Sequence, residues 1–326
     1  MSNPVSSDEC VRVAVIGAGS IGVGLAVVLA RAGHEVALHD VAAGRLKLAL
    51  QEARSILTRL HAHDLLDEPP AVVARRVVGA SRLEDAVAGA RHVQECGPEQ
   101  RDIKLALLRR LDEFAASDAA IASSSSAITT SELAAGLPGR QRVLVAHPAN
   151  PPYLLPVVEL VPAPFTAPAV LENVRALFSR AGMEPVIVRR EIEGFALNRL
   201  QGALLREAYC LVRDGVLDVD GVDRVVSAGL GRRWALLGPF ETSDLNTRGG
   251  LARHAAIMGP AYARMGAERG QDDPWTDALV AQTAGRRRAL LPLERWAERV
   301  AWRDEALMRM ERARREIEQF PEGARV

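Results

Sequence analysis

Val11-Arg-Val-Ala-Val-Ile-Gly17-Ala-Gly19-Ser-Ile-Gly22 is the stretch whose reading decides the fold of this 326-residue chain. The β-branched run 11–16 reads as a buried strand, and 20–32, rich in Ala, Val and Leu, as a helix. Three glycines at this spacing, between a strand and a helix, form a dinucleotide-binding turn. Gly17 permits the tight turn, Gly19 lets backbone approach a pyrophosphate, and Gly22 lets helix and strand pack closely. Ser20 and Ile21 open the helix, where amide donors and a partial positive charge suit that pyrophosphate. A second strand, 35–39, is followed by Asp40, 18 residues after Gly22. A carboxylate there accepts both ribose hydroxyls and repels a 2′-phosphate, so the expected cofactor is NAD rather than NADP.

The same alternation continues outward. A helical pattern runs over 43–63 and is broken by Pro69–Pro70. Residues 93–96, 120–123, 142–146, 157–161 and 185–188 read as strands, with a helix over 167–181. Strand and helix in turn predict a parallel, doubly wound sheet of Rossmann type. From Gly194 no further strand is evident, and 196–214, 218–228, 248–268, 276–290 and 293–319 read as helices. The composition switch over 189–193 places a boundary there. The expected α/β fold is an NAD-binding domain, 1–190, followed by an all-helical substrate-binding and dimerisation domain, 191–326.

Bulk properties exclude several classes of function. Lys+Arg and Asp+Glu each total 41, so no net charge steers the chain to nucleic acid or an anionic membrane. No apolar run is long enough for a spanning helix. The first ten residues lack the apolar core of a signal peptide. Three scattered thiols, Cys10, Cys96 and Cys210, predict neither a disulfide framework nor a metal site, and suit a cytoplasmic protein. His34, His39, His92 and His254 read as structural, and His61 and His63 as solvated.

Chemistry is expected at His147-Pro-Ala-Asn150-Pro-Pro-Tyr-Leu-Leu-Pro-Val-Val-Glu159. Oxidising an alcohol requires a group that takes the hydroxyl proton as hydride leaves carbon, and a neutral histidine can do so. His147 follows a strand, at the edge where open α/β sheets place ligands. Glu159 lies beyond a proline-rich turn that could return the chain beside His147, where a carboxylate fixes the tautomer and stabilises imidazolium. Ser126, after another strand, and Asn150 could hydrogen-bond the reacting oxygen or the nicotinamide.

At these residues the chain resembles the 3-hydroxyacyl-CoA dehydrogenase family, in its lambda-crystallin / L-gulonate 3-dehydrogenase branch. The resemblance spans nearly the whole chain. It includes Gln94-Glu-Cys-Gly-Pro-Glu99, Ala146-His-Pro-Ala-Asn-Pro-Pro-Tyr153, Gly194-Phe-Ala-Leu-Asn198-Arg-Leu-Gln201, Gly229-Leu-Gly-Arg-Arg-Trp-Ala235, Gly238-Pro-Phe-Glu-Thr242 and Trp302-Arg-Asp-Glu305. It implies that His147 and Glu159 are the catalytic pair and that Ser126 and Asn198 hold the substrate oxygen. It places Glu99 and Lys104 against the nicotinamide half of NAD, and implies a homodimer built through the helical domain. Ser124 and Ser125 stand where acyl-CoA enzymes have Asn-Thr, and those enzymes' lysines on the helix after the second strand are replaced by arginines and histidines. The branch also has an arginine at Arg233, where acyl-CoA enzymes have a small or apolar residue. A guanidinium there would clamp a substrate carboxylate. The expected substrate is therefore a small hydroxy acid, L-gulonate first, oxidised at its 3-hydroxyl. The alternatives are a 3-hydroxyacyl-CoA such as 3-hydroxybutyryl-CoA, and a crystallin-like NAD-binding protein without catalysis.

Overall fold

Side chains alternate along β1 (Arg12–Ile16), and this one strand shows how both faces of the sheet are filled. A computed structural model describes residues 10–235, 238–246, 250–269, 278, 281, 289 and 292–318. In it Val13 and Val15 enter one apolar core, while Ala14 and Ile16 enter a second core on the opposite side. The first core is closed by α1 (Ser20–Arg31), α2 (Ala43–Ala62) and α7 (Pro168–Arg180). The second is closed by α4 (Leu83–Val87), α5 (Arg101–Phe114) and α6 (Thr130–Ala134). Leu25 and Leu29 of α1 are fully buried, and each such side chain contributes about 1.5–3 kcal/mol.

The other strands are β2 (Glu35–His39), β3 (Val77–Ala80), β4 (His92–Glu95), β5 (Ala120–Ser123), β6 (Val143–Pro148), β7 (Val157–Pro162) and β8 (Glu184–Ile187), with α3 (Pro70–Ala74) preceding β3. They form one eight-stranded sheet in the order β3-β2-β1-β4-β5-β6-β7-β8. The order reverses between β1 and β4, which opens the crevice a dinucleotide uses.

Two features depart from the sequence expectation. The sheet is mixed: β1 to β6 run parallel, but β7 pairs antiparallel with β6, and β8 follows β7. Only residues 149–156 separate β6 from β7, too few for the dozen or more that a parallel crossover needs. In addition, β3 was not expected. It is a short edge strand with Val78 and Gly79 exposed, so it lacks the apolar run that marks a central strand.

The chain forms two compact units, Met1–Arg199 with Ala301–Val326, and Leu200–Val300. The described residues 301–318 group with the first unit. In the helix Trp296–Glu318, Met308 joins the first core, and the buried Asp304 accepts a hydrogen bond from the Tyr153 hydroxyl at 3.2 Å. His63, expected to be solvated, bonds Glu305 of that helix at 2.8 Å. Within the second unit, α8 (Leu197–Arg213) continues from the first, followed by α9 (Val219–Val225), α10 (Gly231–Trp234), α11 (Pro239–Asn246) and α12 (Gly250–Arg269). Arg269 ties α12 to Glu207 of α8 at 3.0 Å. The helix expected over 276–290 lies outside the described residues apart from 278, 281 and 289. No helix among the described residues is long and apolar enough to cross a membrane.

Candidate active site

The glycine-rich turn fits a dinucleotide on steric grounds. Gly17 has φ +107°, and a Cβ there would stand 2.5 Å from the Cys96 carbonyl oxygen. A Cβ on Gly22 would stand 1.9 Å from the Gly17 carbonyl oxygen. A Cβ on Gly19, by contrast, would meet nothing within 4 Å. The turn is therefore closed on its inner side and open on its outer one. Beyond it α1 begins at Ser20, and the amides of a helix's first turn, here Ser20, Ile21 and Gly22, have no partner inside the helix. Asp40 ties the turn to α2: its Oδ2 accepts from the Ala18 amide at 2.8 Å and its Oδ1 from the Ala42 amide at 2.9 Å. Each oxygen retains a further lone pair for a ribose hydroxyl.

A buried ion pair lies beside this turn. Lys104 is 1% exposed and bonds both oxygens of Glu95, at 3.1 and 3.0 Å. Its ammonium also reaches the Gly97 carbonyl at 3.3 Å and lies 3.5 Å from Glu99 Oε2. Each Glu95 oxygen has a second donor, the Gly97 amide at 2.6 Å or the Ser123 hydroxyl at 2.5 Å. Lys104 stands behind Glu99, the residue expected beside it at the nicotinamide half of NAD. Its donors are used inside the protein, because a buried carboxylate beside it must be neutralised.

Glu99 carries the network onward. Its Oε1 accepts from the Ser125 hydroxyl at 2.7 Å and from the amides of Ser126 and Ala127 at 2.8 and 3.2 Å. Burial alone would push its carboxyl up, but these hydrogen bonds and the Lys104 charge outweigh it and hold it below the usual carboxylate range. Gln94 adds a second tie, donating to Ser124 Oγ at 2.8 Å and to the Ala146 carbonyl at 3.2 Å. The strands β4, β5 and β6 are thereby fastened together at one edge.

On β6 and β7 the antiparallel register sets His147 directly opposite Glu159. His147 Nδ1 donates to Glu159 Oε2 at 3.0 Å, since an ionised carboxylate can only accept. That assigns the tautomer whose Nε2 carries a lone pair. The other Glu159 oxygen accepts from the amides of Ala196 and Leu197, at 2.7 and 3.0 Å, at the start of α8. Gly194 and Phe195 aim those amides by turning the chain with φ +73° and +49°. A positive φ is unusual for phenylalanine; its ring is fully buried and lies 5.7 Å from that of His147. Burial pushes the Glu159 carboxyl up, yet hydrogen bonds from His147 and the two amides prevail and leave it below the usual range.

The first turn of α8 also delivers Asn198, whose Nδ2 donates to the Ser126 carbonyl at 2.7 Å. The Ser126 backbone is therefore held at both ends, by Glu99 and by Asn198, while its hydroxyl bonds no other described residue. Asn150 is exposed in the turn after β6. Arg233 is exposed on α10 in the second unit. Sequence reasoning missed Glu95. The available signal was Lys104, one of only two lysines in the chain, nine residues from a carboxylate inside the stretch Gln94 to Glu99.

Two family models cover most of this chain. Residues 12–192 match the model of the 3-hydroxyacyl-CoA dehydrogenase NAD binding domain, and residues 194–289 that of the 3-hydroxyacyl-CoA dehydrogenase C-terminal domain. A lambda-crystallin homolog of Bos taurus is 39% identical over 98% of this chain and 100% of its own. An L-carnitine dehydrogenase of Oceanobacillus iheyensis is 36% identical over 77% of this chain and 81% of its own. Among solved structures, 5-formyl-3-hydroxy-2-methylpyridine 4-carboxylic acid 5-dehydrogenase, an NAD+-dependent dismutase, superposes with TM-score 0.81, 29% identity and coverage of 94% and 98% of the two chains.

Proposed function

We propose, from the premise that this chain belongs to the 3-hydroxyacyl-CoA dehydrogenase family and is an NAD-dependent dehydrogenase acting on a secondary hydroxyl, that its substrate is a small free 3-hydroxy acid, with L-gulonate first. The observation that carries the chemistry is the His147 Nδ1–Glu159 Oε2 bond of 3.0 Å. It leaves Nε2 as the acceptor of the substrate's hydroxyl proton. Glu159, held by the α8 amides, stabilises the imidazolium that forms. The Ser126 hydroxyl and Asn198 hold the reacting oxygen. NAD, when bound, accepts the hydride. Gly17, Gly19, Ser20, Ile21 and Gly22 receive its pyrophosphate, Asp40 its ribose, and Glu99, with Lys104 behind it, and Asn150 orient its nicotinamide half.

The free-acid reading is supported by likeness to lambda-crystallin homologs and to an L-carnitine dehydrogenase, carnitine being a free 3-hydroxy acid. It is also supported by Arg233, exposed and able to clamp a carboxylate. A 3-hydroxyacyl-CoA remains the second reading, because a 3-hydroxyacyl-CoA dehydrogenase of Gibberella moniliformis is 32% identical over 95% of this chain. Steady-state NADH production from L-gulonate, L-carnitine, 3-hydroxybutyrate and 3-hydroxybutyryl-CoA separates the two. A higher kcat/KM for the thioester than for every free acid would overturn the proposal.

The same proposal makes the protein cytoplasmic and homodimeric. Leu200 and Leu205 of α8 are 67% and 37% exposed, an apolar surface that a second copy would cover. Light scattering at micromolar concentration should report twice the chain mass, and a purely monomeric species would refute the dimer.

A further inference from the structure

Arg45 shares its surroundings with Asp40. Ala18, inside the glycine turn, gives its amide to Asp40 Oδ2 at 2.8 Å, and its carbonyl accepts from Arg45 Nε at 2.7 Å. Ala18 is therefore gripped on both sides, by the carboxylate and by the guanidinium. The two outer nitrogens of Arg45 are turned away onto Glu52, Nη1 to Oε1 at 2.8 Å and Nη2 to Oε2. Glu52 lies seven residues on, two helical turns along the same face of α2. The pair is half-exposed, Arg45 at 32% and Glu52 at 47%, so it adds little to stability. Its effect is on availability instead, because both outer nitrogens of the guanidinium are engaged by Glu52. The Glu52 hydrogen bonds raise the Arg45 pKa, and Asp40 adds to the same effect.

We infer that Glu52 is a specificity-determining residue, which keeps the enzyme selective for NAD by engaging a fork of donors that could otherwise bind a 2′-phosphate beside Asp40. The inference rests on the reading that Asp40 receives the ribose hydroxyls. A 2′-phosphate placed there meets a carboxylate, and relieving that repulsion takes a guanidinium in bidentate contact. Arg45 carries the required fork of two donors, but Glu52 already occupies it. The selectivity thus has two parts, repulsion by Asp40 and withholding of Arg45 by Glu52.

The experiment measures dissociation constants of NADH and NADPH, by nicotinamide fluorescence, for the full-length protein and its variants. Glu52→Gln should improve NADPH binding relative to NADH about tenfold, the scale of one charge-assisted hydrogen bond. Adding Arg45→Met to Glu52→Gln should return the ratio to that of the parent. A ratio unchanged by Glu52→Gln overturns the inference, as does an improvement that persists without Arg45. Asp40→Ala, measured separately, tests the underlying reading. If it leaves the ratio unchanged, Asp40 is not at the ribose.

Discussion

Glu95, at the end of β4, and Glu159, on β7, are both buried near one edge of the same sheet, yet they are neutralised in opposite ways. Glu95 is closed by a lysine ammonium that is itself buried. Glu159 is closed by an imidazole and two backbone amides. A fixed cation makes the first pair a clamp, which joins the end of β4 to α5 and, through the Ser123 hydroxyl, to β5. An imidazole makes the second pair a place where a proton can arrive and leave. A buried carboxylate is catalytically informative when its partner can change charge, and structural when it cannot.

The two pairs differ most in their response to deletion. His147→Ala should lower turnover by roughly 10²–10⁴-fold, the range for removal of a general base, with NAD affinity retained. Stopped-flow or steady-state NADH absorbance, paired with a cofactor titration, measures both. Near-native turnover would show that His147 is not the base. Glu159→Gln should also lose activity, by weakening support for the imidazolium.

Lys104→Met should act on stability instead. It leaves Glu95 buried without a cation, at a cost of about 3–5 kcal/mol, measurable by urea unfolding. Glu95→Gln combined with Lys104→Met should recover much of that loss, because no uncompensated charge remains. If the double variant is no more stable than Lys104→Met, the pair is not the clamp its geometry suggests.

A smaller effect sharpens the same contrast. Asp304 is a third buried carboxylate, 5% exposed, and the Arg59 guanidinium lies 3.9 Å from it. It also accepts from the neutral Tyr153 hydroxyl at 3.2 Å. Tyr153→Phe should therefore cost about 1–3 kcal/mol, the range for a buried group losing one partner. A cost near that of Lys104→Met would show that Asp304 depends on Tyr153 as fully as Glu95 depends on lysine.

The sequence was most legible where the signal is local. From Val11 to Asp40, strand, glycine turn, helix and acid all fall within one continuous stretch, and the structure reproduces the elements within a residue or two. His147 and Glu159 were legible as a pair across a returning turn, but not the antiparallel register that sets them opposite each other, since alternation along a strand carries no direction. Glu95–Lys104 was hidden because burial of a charge leaves no periodic trace. Arg45–Glu52 was hidden because a helical face rich in charge reads as solvent-exposed. The strand Val77–Ala80 was hidden by its shortness and its edge position.

The smallest expected effect is the pH response of the Glu159 carboxylate. Its carboxyl is held below its ordinary 4.5 in the folded protein, so folding favours its ionised form. That contribution is fully present above the unfolded value and is lost as pH falls through the lower, folded value. Glu159→Gln cannot titrate. The gap in thermal midpoint between the parent and Glu159→Gln should therefore be widest near neutral pH and should narrow as pH falls below about 4. An unchanged Glu159→Gln gap from neutral to acid pH would mean that the bonds from His147, Ala196 and Leu197 do not favour the charged carboxylate. Glu159 would then be a passive acceptor, and the contrast with Glu95 would lose its electrostatic basis.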